Sequence, residues 1–156
     1  MPILKLYNME NTKFHLLLAD DDIDDCDFFA EAVSEISSTL TLSVLNDGVA
    51  LMDFLLAADN PVPNLVFLDI NMPRKSGSEC LEAMKSSVKL KAIPVVIYST
   101  SLDRTVVNHL YDLGAHYYIQ KPCEFTNIKK AITKAISQVT ALETSKRSRA
   151  QFIIEP

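Results

Sequence analysis

Six aspartates crowd into the eight residues from Asp20 to Asp27: Asp20, Asp21, Asp22, Asp24, Asp25 and Asp27. Carboxylates this close repel one another. Asp22, Asp24 and Asp25 suit the N-terminus of a helix, where capping and the dipole favour negative charge. Asp20 and Asp21 suit that role less well, because they directly follow the apolar run His15 to Ala19. A carboxylate pair in such a place either raises a pKa or holds a cation. A further acid, Asp69, follows the apolar run Leu65 to Leu68. A lone aspartate there reads as a loop cap, but convergence with Asp20 and Asp21 makes an oxygen-rich site of the kind Mg²⁺ takes. Ser99, Thr100 and Ser101 follow a third apolar run, where a hydroxyl can donate to a phosphoryl oxygen, although hydroxyls are common at strand ends. Lys121 precedes Pro122 after a fourth, and its ammonium there either lies in water or pairs with the acids and offsets the charge of a phosphoryl group. An X-Pro bond is where a cis peptide becomes affordable, and such a bond at Lys121-Pro122 can aim the lysine inward.

These residues need a frame that brings them together. The apolar runs His15 to Ala19, Leu42 to Leu45, Leu65 to Leu68, Val95 to Tyr98 and Tyr117 to Ile119 read as strands. The third and fourth are nearly continuous in apolar residues, as strands covered on both faces are. Between them lie amphipathic helices, with Phe29, Ala32, Val33 and Ile36 on one face, then Met52, Leu55 and Leu56, then Leu81, Met84 and Val88, then Val106, Leu110 and Leu113. The last helix carries a stripe of Phe125, Ile128, Ile132, Ala135, Ile136 and Val139, with Lys129, Lys130 and Lys134 on its solvated side. Asn46-Asp47-Gly48 marks a turn, Pro94 opens the fourth strand, and Gly114 suits a left-handed helix cap. Five strands alternating with five helices predict an α/β fold with an open, doubly wound parallel sheet. In such sheets the ligand site lies beyond the carboxyl ends of the strands, where the candidate residues are.

With 156 residues, 48% apolar and 22% charged, the chain suits one domain with a full core. A net charge of −5 gives no general reason to bind nucleic acid or anionic membrane; the single basic cluster is Lys146, Arg147 and Arg149. Cys26, Cys80 and Cys123 show no CxxC spacing and read as reduced thiols of a cytoplasmic protein. No apolar run can span a bilayer, and residues 1–13 lack the core of a signal peptide. His15, His109 and His116 show no metal-ligand spacing.

In their order and spacing, the segments LLLADDDIDD, LVFLDINMPRKSG, PVVIYSTS and YIQKPCEF resemble the response-regulator receiver domain of two-component signalling, over about His15 to Ser137. The resemblance implies a flavodoxin-like five-stranded sheet in the order 2-1-3-4-5. It implies that Asp69 accepts the phosphoryl group and that Asp20, Asp21, Asp69 and the backbone carbonyl of Asn71 hold Mg²⁺. Ser99 and Tyr118 match the switch pair, Lys121 the conserved lysine, Gly77 the loop glycine, and Lys121-Pro122 a cis bond. Cys123 departs from the pattern, since an aromatic is common there. The implied role is a phosphoacceptor switch rather than an enzyme, taking phosphate from a sensor histidine kinase or phosphotransfer protein and signalling to a downstream protein partner, as monomer or homodimer.

The expected organisation is an N-terminal extension (1–13), a receiver domain (14–142) and a C-terminal tail (143–156), with no attached output domain. Phe152, Ile153 and Ile154 form a small apolar patch in that tail, which reads as a segment docked back on the domain, as a dimer contact or, by default, as loose. Three other readings are weighed. A phosphatase of the haloacid-dehalogenase type needs an Asp-x-Asp-x-Thr motif, which Asp20 to Asp24 do not provide. A phosphorylation-independent binding domain on the same scaffold would lose the acid or the lysine, and both are present. A flavodoxin-like cofactor binder lacks its phosphate loop after the first strand.

Overall fold

The computed structural model describes residues 13–141 and 148–156. Five strands, β1 (Phe14–Ala19), β2 (Leu40–Leu45), β3 (Leu65–Leu68), β4 (Val95–Ser99) and β5 (Tyr117–Gln120), alternate with five helices. The helices are α1 (Ile23–Ile36), α2 (Gly48–Leu56), α3 (Gly77–Lys85), α4 (Arg104–Asp112) and α5 (Phe125–Ala141). The strands form one parallel sheet in the order β2-β1-β3-β4-β5.

Alternation along the strands divides the core into two layers. Leu16, Leu18, Phe67, Val96, Tyr98 and Ile119 face one side, where Phe29 of α1 and the stripe of α5 cover them. Phe29, Phe67 and Tyr98 meet edge to face, with centroids 4.9 to 6.4 Å apart. Leu17, Val66, Leu68, Ile97 and Tyr118 face the other side, under α2, α3 and α4. Both β3 and β4 are buried throughout, as their unbroken apolar runs predict.

Helix ends follow local chemistry. Asp22, Asp47, Ser76 and Asp103 cap α1, α2, α3 and α4 by accepting from the third amide onward. Gly114 adopts φ +106° just past α4. There the Ala115 amide donates to the Leu110 carbonyl and the Gly114 amide to Tyr111, which closes the helix.

Several expectations are corrected. Leu56 lies at the exposed end of α2, and Val88 lies beyond α3, fully in solvent. The Ser86 amide closes α3 onto Glu82 and Met84, so the chain turns before Val88 can join the buried face. No peptide bond among the described residues is cis, so Lys121-Pro122 is trans. Lys121 reaches the acids regardless, because its amide continues the ladder by donating to the Ser99 carbonyl at 2.8 Å.

The tail is not loose. After a 3₁₀ turn (Arg149–Gln151), Phe152 to Ile154 runs parallel along the free edge of β5. The Tyr118 amide donates to Phe152 and the Ile154 amide to Tyr118, both at 2.9 Å. Phe152 and Ile154 are buried, one in each core layer. Their apolar area, with an edge strand offering unpaired main-chain groups, outweighs the entropy of a free end. Within the basic cluster, Arg149 is engaged by Asp112, Asn108 and the Tyr111 ring; Lys146 and Arg147 lie outside the described residues. Among the described residues, no helix is long and apolar enough to cross a membrane.

Candidate functional site

The ends of β1, β3 and β5 deliver charged groups to one spot, because the sheet's ladder continues one residue past the strands. The Asp69 amide donates to Ala19 (2.9 Å) and the Asp20 amide to Leu45 (3.0 Å), which fixes both acids at the carboxyl edge. Asp20 is fully buried and Asp69 nearly so, while Asp21 is exposed. One carboxylate oxygen from each of Asp20, Asp21 and Asp69 lies within 4.8 Å of the others. The Asp20 Oδ1 accepts from the Asp22 amide, and the Asp20 carbonyl accepts from Asn46 Nδ2 and the Cys26 thiol. Asp69 Oδ1 accepts from the Ile70 amide at 2.8 Å.

Lys121 sits at the centre of the acids. Its Nζ lies 2.7 Å from Asp20 Oδ2, 2.8 Å from Asp25 Oδ2 and 3.5 Å from Asp69 Oδ2. The wholly buried Asp20 Oδ2 thus has the Lys121 ammonium as its partner. The all-oxygen donor set of Asp20, Asp21 and Asp69 fits a hard divalent cation.

The electrostatics follow from burial and crowding. Burial pushes the Asp69 carboxyl up to about 6; Lys121 opposes the rise and the Asp20 charge adds to it. For Lys121, burial works to lower the ammonium's pKa, but Asp20 and Asp25, and then Asp69, hold it above the usual lysine range. The Cys26 thiol, buried beside Asp20, is raised to about 12 and stays protonated.

Ser99 is buried at the end of β4 and accepts from the Ser101 amide at 3.3 Å. The Tyr118 hydroxyl donates to the Ser101 carbonyl, which points its ring inward toward the site. Asn71 lies two residues past Asp69 on an exposed loop. Gly77 closes that loop: its amide donates to the Ile70 carbonyl, and a Cβ there would lie 2.1 Å from the Asp69 carbonyl oxygen. Pro122 follows Lys121 beside a shallow groove shared with Asp25, Phe28, Cys123 and Phe125.

Two residues were missed by sequence reasoning. Asp25 reads there as a helix-capping acid, yet it is a direct partner of Lys121; its place in the first turn of α1, beside the end of β1, is the signal. Arg74 adopts φ 67° in the loop after β3 and pairs with Asp47 at 3.1 Å, tying the loop to the start of α2. Nothing in the local sequence marks Arg74 for that conformation.

Comparison with known proteins decides the family. The family model of the response regulator receiver domain matches residues 16–133. The chain belongs to that family. It is 33% identical over 121 residues to the response regulator Rcp1 of Synechocystis sp., covering 75% of this chain and 82% of Rcp1. The receiver also superposes on the phosphorylated cyanobacterial phytochrome response regulator RcpA, with a TM-score of 0.72, 28% identity, and coverage of 86% and 96% of the two chains. The Mn²⁺-bound form of Rcp1 matches with a TM-score of 0.68, 32% identity, and coverage of 86% and 99%. The receiver is therefore a signalling switch of two-component systems, and the flavodoxin-like fold of the family is the one observed.

Proposed function

We propose that this receiver accepts a phosphoryl group on Asp69 with Mg²⁺ bound, and that the modified protein signals through changed protein contacts. The convergence of Asp20, Asp69 and Lys121 on one point, each delivered by a different strand, is the observation that supports it. An Asp69 carboxylate oxygen forms the new bond to phosphorus while the P–N bond of a phosphohistidine donor breaks, and the imidazole leaves with the electron pair. Asp20, Asp21 and Asp69, whose oxygens cluster, and the Asn71 carbonyl would hold the ion. Bound there, Mg²⁺ offsets negative charge on the transferring group. Lys121 is the fixed cation for the same charge, already desolvated and aimed. Asp25 keeps its ammonium beside Asp69 when Asp20 is engaged elsewhere.

Phosphorylation adds nearly two negative charges at neutral pH. Ser99 then turns its hydroxyl to the phosphoryl oxygens, which favours the inward place of the Tyr118 ring over an outward one and so alters the surface of α4, β5 and α5. The donor is a sensor histidine kinase or phosphotransfer protein, and the reader is a downstream protein, with residues 14–142 as the receiver unit. The chain acts as a switch and not on a separate substrate. The free thiols of Cys26, Cys80 and Cys123 suit the cytoplasm.

Intact-protein mass spectrometry after incubation with acetyl phosphate tests the proposal. The expected result is a gain of one phosphoryl group that needs Mg²⁺ and disappears in Asp69→Asn. No gain with Mg²⁺ present would rule the proposal out.

A further inference from the structure

The end of the chain occupies the surface that the proposed switch would remodel. Main-chain hydrogen bonds join the tail to both sides of a single β5 residue, Tyr118. The Phe152 ring packs on the Tyr118 ring (centroids 6.2 Å) and on Tyr111 of α4 (5.2 Å). Under this cover Tyr118 is completely buried, with its hydroxyl on the Ser101 carbonyl two residues past Ser99. Arg149 anchors the segment by pairing with Asp112 (2.6 Å) and Asn108 (3.0 Å) and by lying over the Tyr111 ring at 4.3 Å. This ion pair is exposed and contributes little by itself. Burial of Phe152 and Ile154, with the strand pairing, holds the segment in place.

We infer that Phe152 to Ile154 is a built-in ligand of the β5 edge whose docking is coupled, through Tyr118, to the phosphoryl state of Asp69. The inference rests on the function proposed above. The Tyr118 ring has two places to go: inward over Ser99 and Ser101, where it lies here, or outward between β5 and α4. Docked Phe152 occupies the outward place, because its ring stands between Tyr118 of β5 (6.2 Å) and Tyr111 of α4 (5.2 Å). The inward ring is also the wall on which Phe152 packs. The docked tail and an outward Tyr118 therefore exclude each other, whereas the docked tail and an inward Tyr118 support each other. A phosphoryl group that draws Ser99 away favours the inward ring, and so tightens the tail. By linkage, the docked tail favours the phosphorylated state by the same factor.

The test is hydrogen-exchange mass spectrometry on the full chain with Mg²⁺, with and without acetyl phosphate, while intact mass follows phosphoryl gain. Phosphorylation is expected to slow exchange at the Ile154 and Tyr118 amides about fivefold or more. Phe152→Ala is expected to abolish the slowing and to lower the phosphorylated fraction at a fixed, subsaturating acetyl phosphate concentration. Arg149→Ala, at an exposed site that leaves the core intact, is expected to weaken both effects in the same direction. Phosphoryl gain with unchanged or faster tail exchange would overturn the coupling and leave the proposed function standing, as would tail variants phosphorylated like the parent. No phosphoryl gain in the parent chain would overturn both.

Discussion

Asp69 is held in conditions that oppose its charge, and this has a measurable consequence. Its carboxyl is raised by burial from 3.8 to about 6. A raised acid contributes stability while protonated; that contribution is complete below about 3.8 and is lost as pH rises through about 6. At pH 7.5 the ionised side chain therefore destabilises the metal-free protein. Asp69→Asn is expected to be more stable than the parent at pH 7.5, on the order of 2 kcal/mol. The gap should close as pH falls from 6 towards 4, and should narrow when Mg²⁺ binds the parent. Thermal unfolding of both proteins across this pH range checks it, and a less stable Asn variant at pH 7.5 contradicts it. The strand-end positions of Asp20, Asp69 and Ser99 were legible in the sequence because each directly follows an apolar run that must be a strand, and that of Lys121 because it stands one residue past another. The Asp25–Lys121 pair was not, because it links residues 96 positions apart and depends on where α1 leaves β1.

The loop from β3 to α3 carries the acceptor and is tied down at close range. Gly77 has no room for a side chain, since the nearest obstacle is the Asp69 backbone rather than a flexible side chain. Gly77→Ala must shift that backbone, and is expected to destabilise the protein by on the order of 2–3 kcal/mol, read by urea unfolding. It should also slow phosphorylation, because the displaced backbone is that of the acceptor. A variant equal to the parent in both would contradict the close approach. At this scale the strands were readable from apolar runs, yet β1 and β2 begin earlier, at Phe14 and Leu40, than those runs imply. β2 is an edge strand only partly buried, so polar residues such as Thr41 and Ser43 interrupt its apolar run. Helical spacing misplaced Leu56 and Val88 because periodicity shows a face but not where the backbone stops following it.

For the molecule as a whole, two core layers joined through one sheet predict cooperative behaviour. Phe29→Ala, which removes the ring shared by Phe67 and Tyr98, is expected to lose roughly 3–5 kcal/mol in chemical unfolding. Burial raises the Cys26 and Cys80 thiols to about 12 and about 11, while Cys123 is exposed. Iodoacetamide at pH 8 should therefore modify Cys123 alone in the native protein and all three thiols in denaturant. Early modification of Cys26 would contradict the packing around Asp20. Docking of Phe152 and Ile154 on β5 was one of three open readings, because a short apolar patch in a tail looks the same whether or not an edge strand awaits it. The central claim is that Asp69 becomes an acyl phosphate, and the most direct measurement locates that bond. Borohydride reduction of the acetyl phosphate-treated, Mg²⁺-loaded protein, followed by peptide sequencing in the mass spectrometer, should find homoserine in place of aspartate at position 69. Homoserine at another aspartate, or at none, would contradict the assignment.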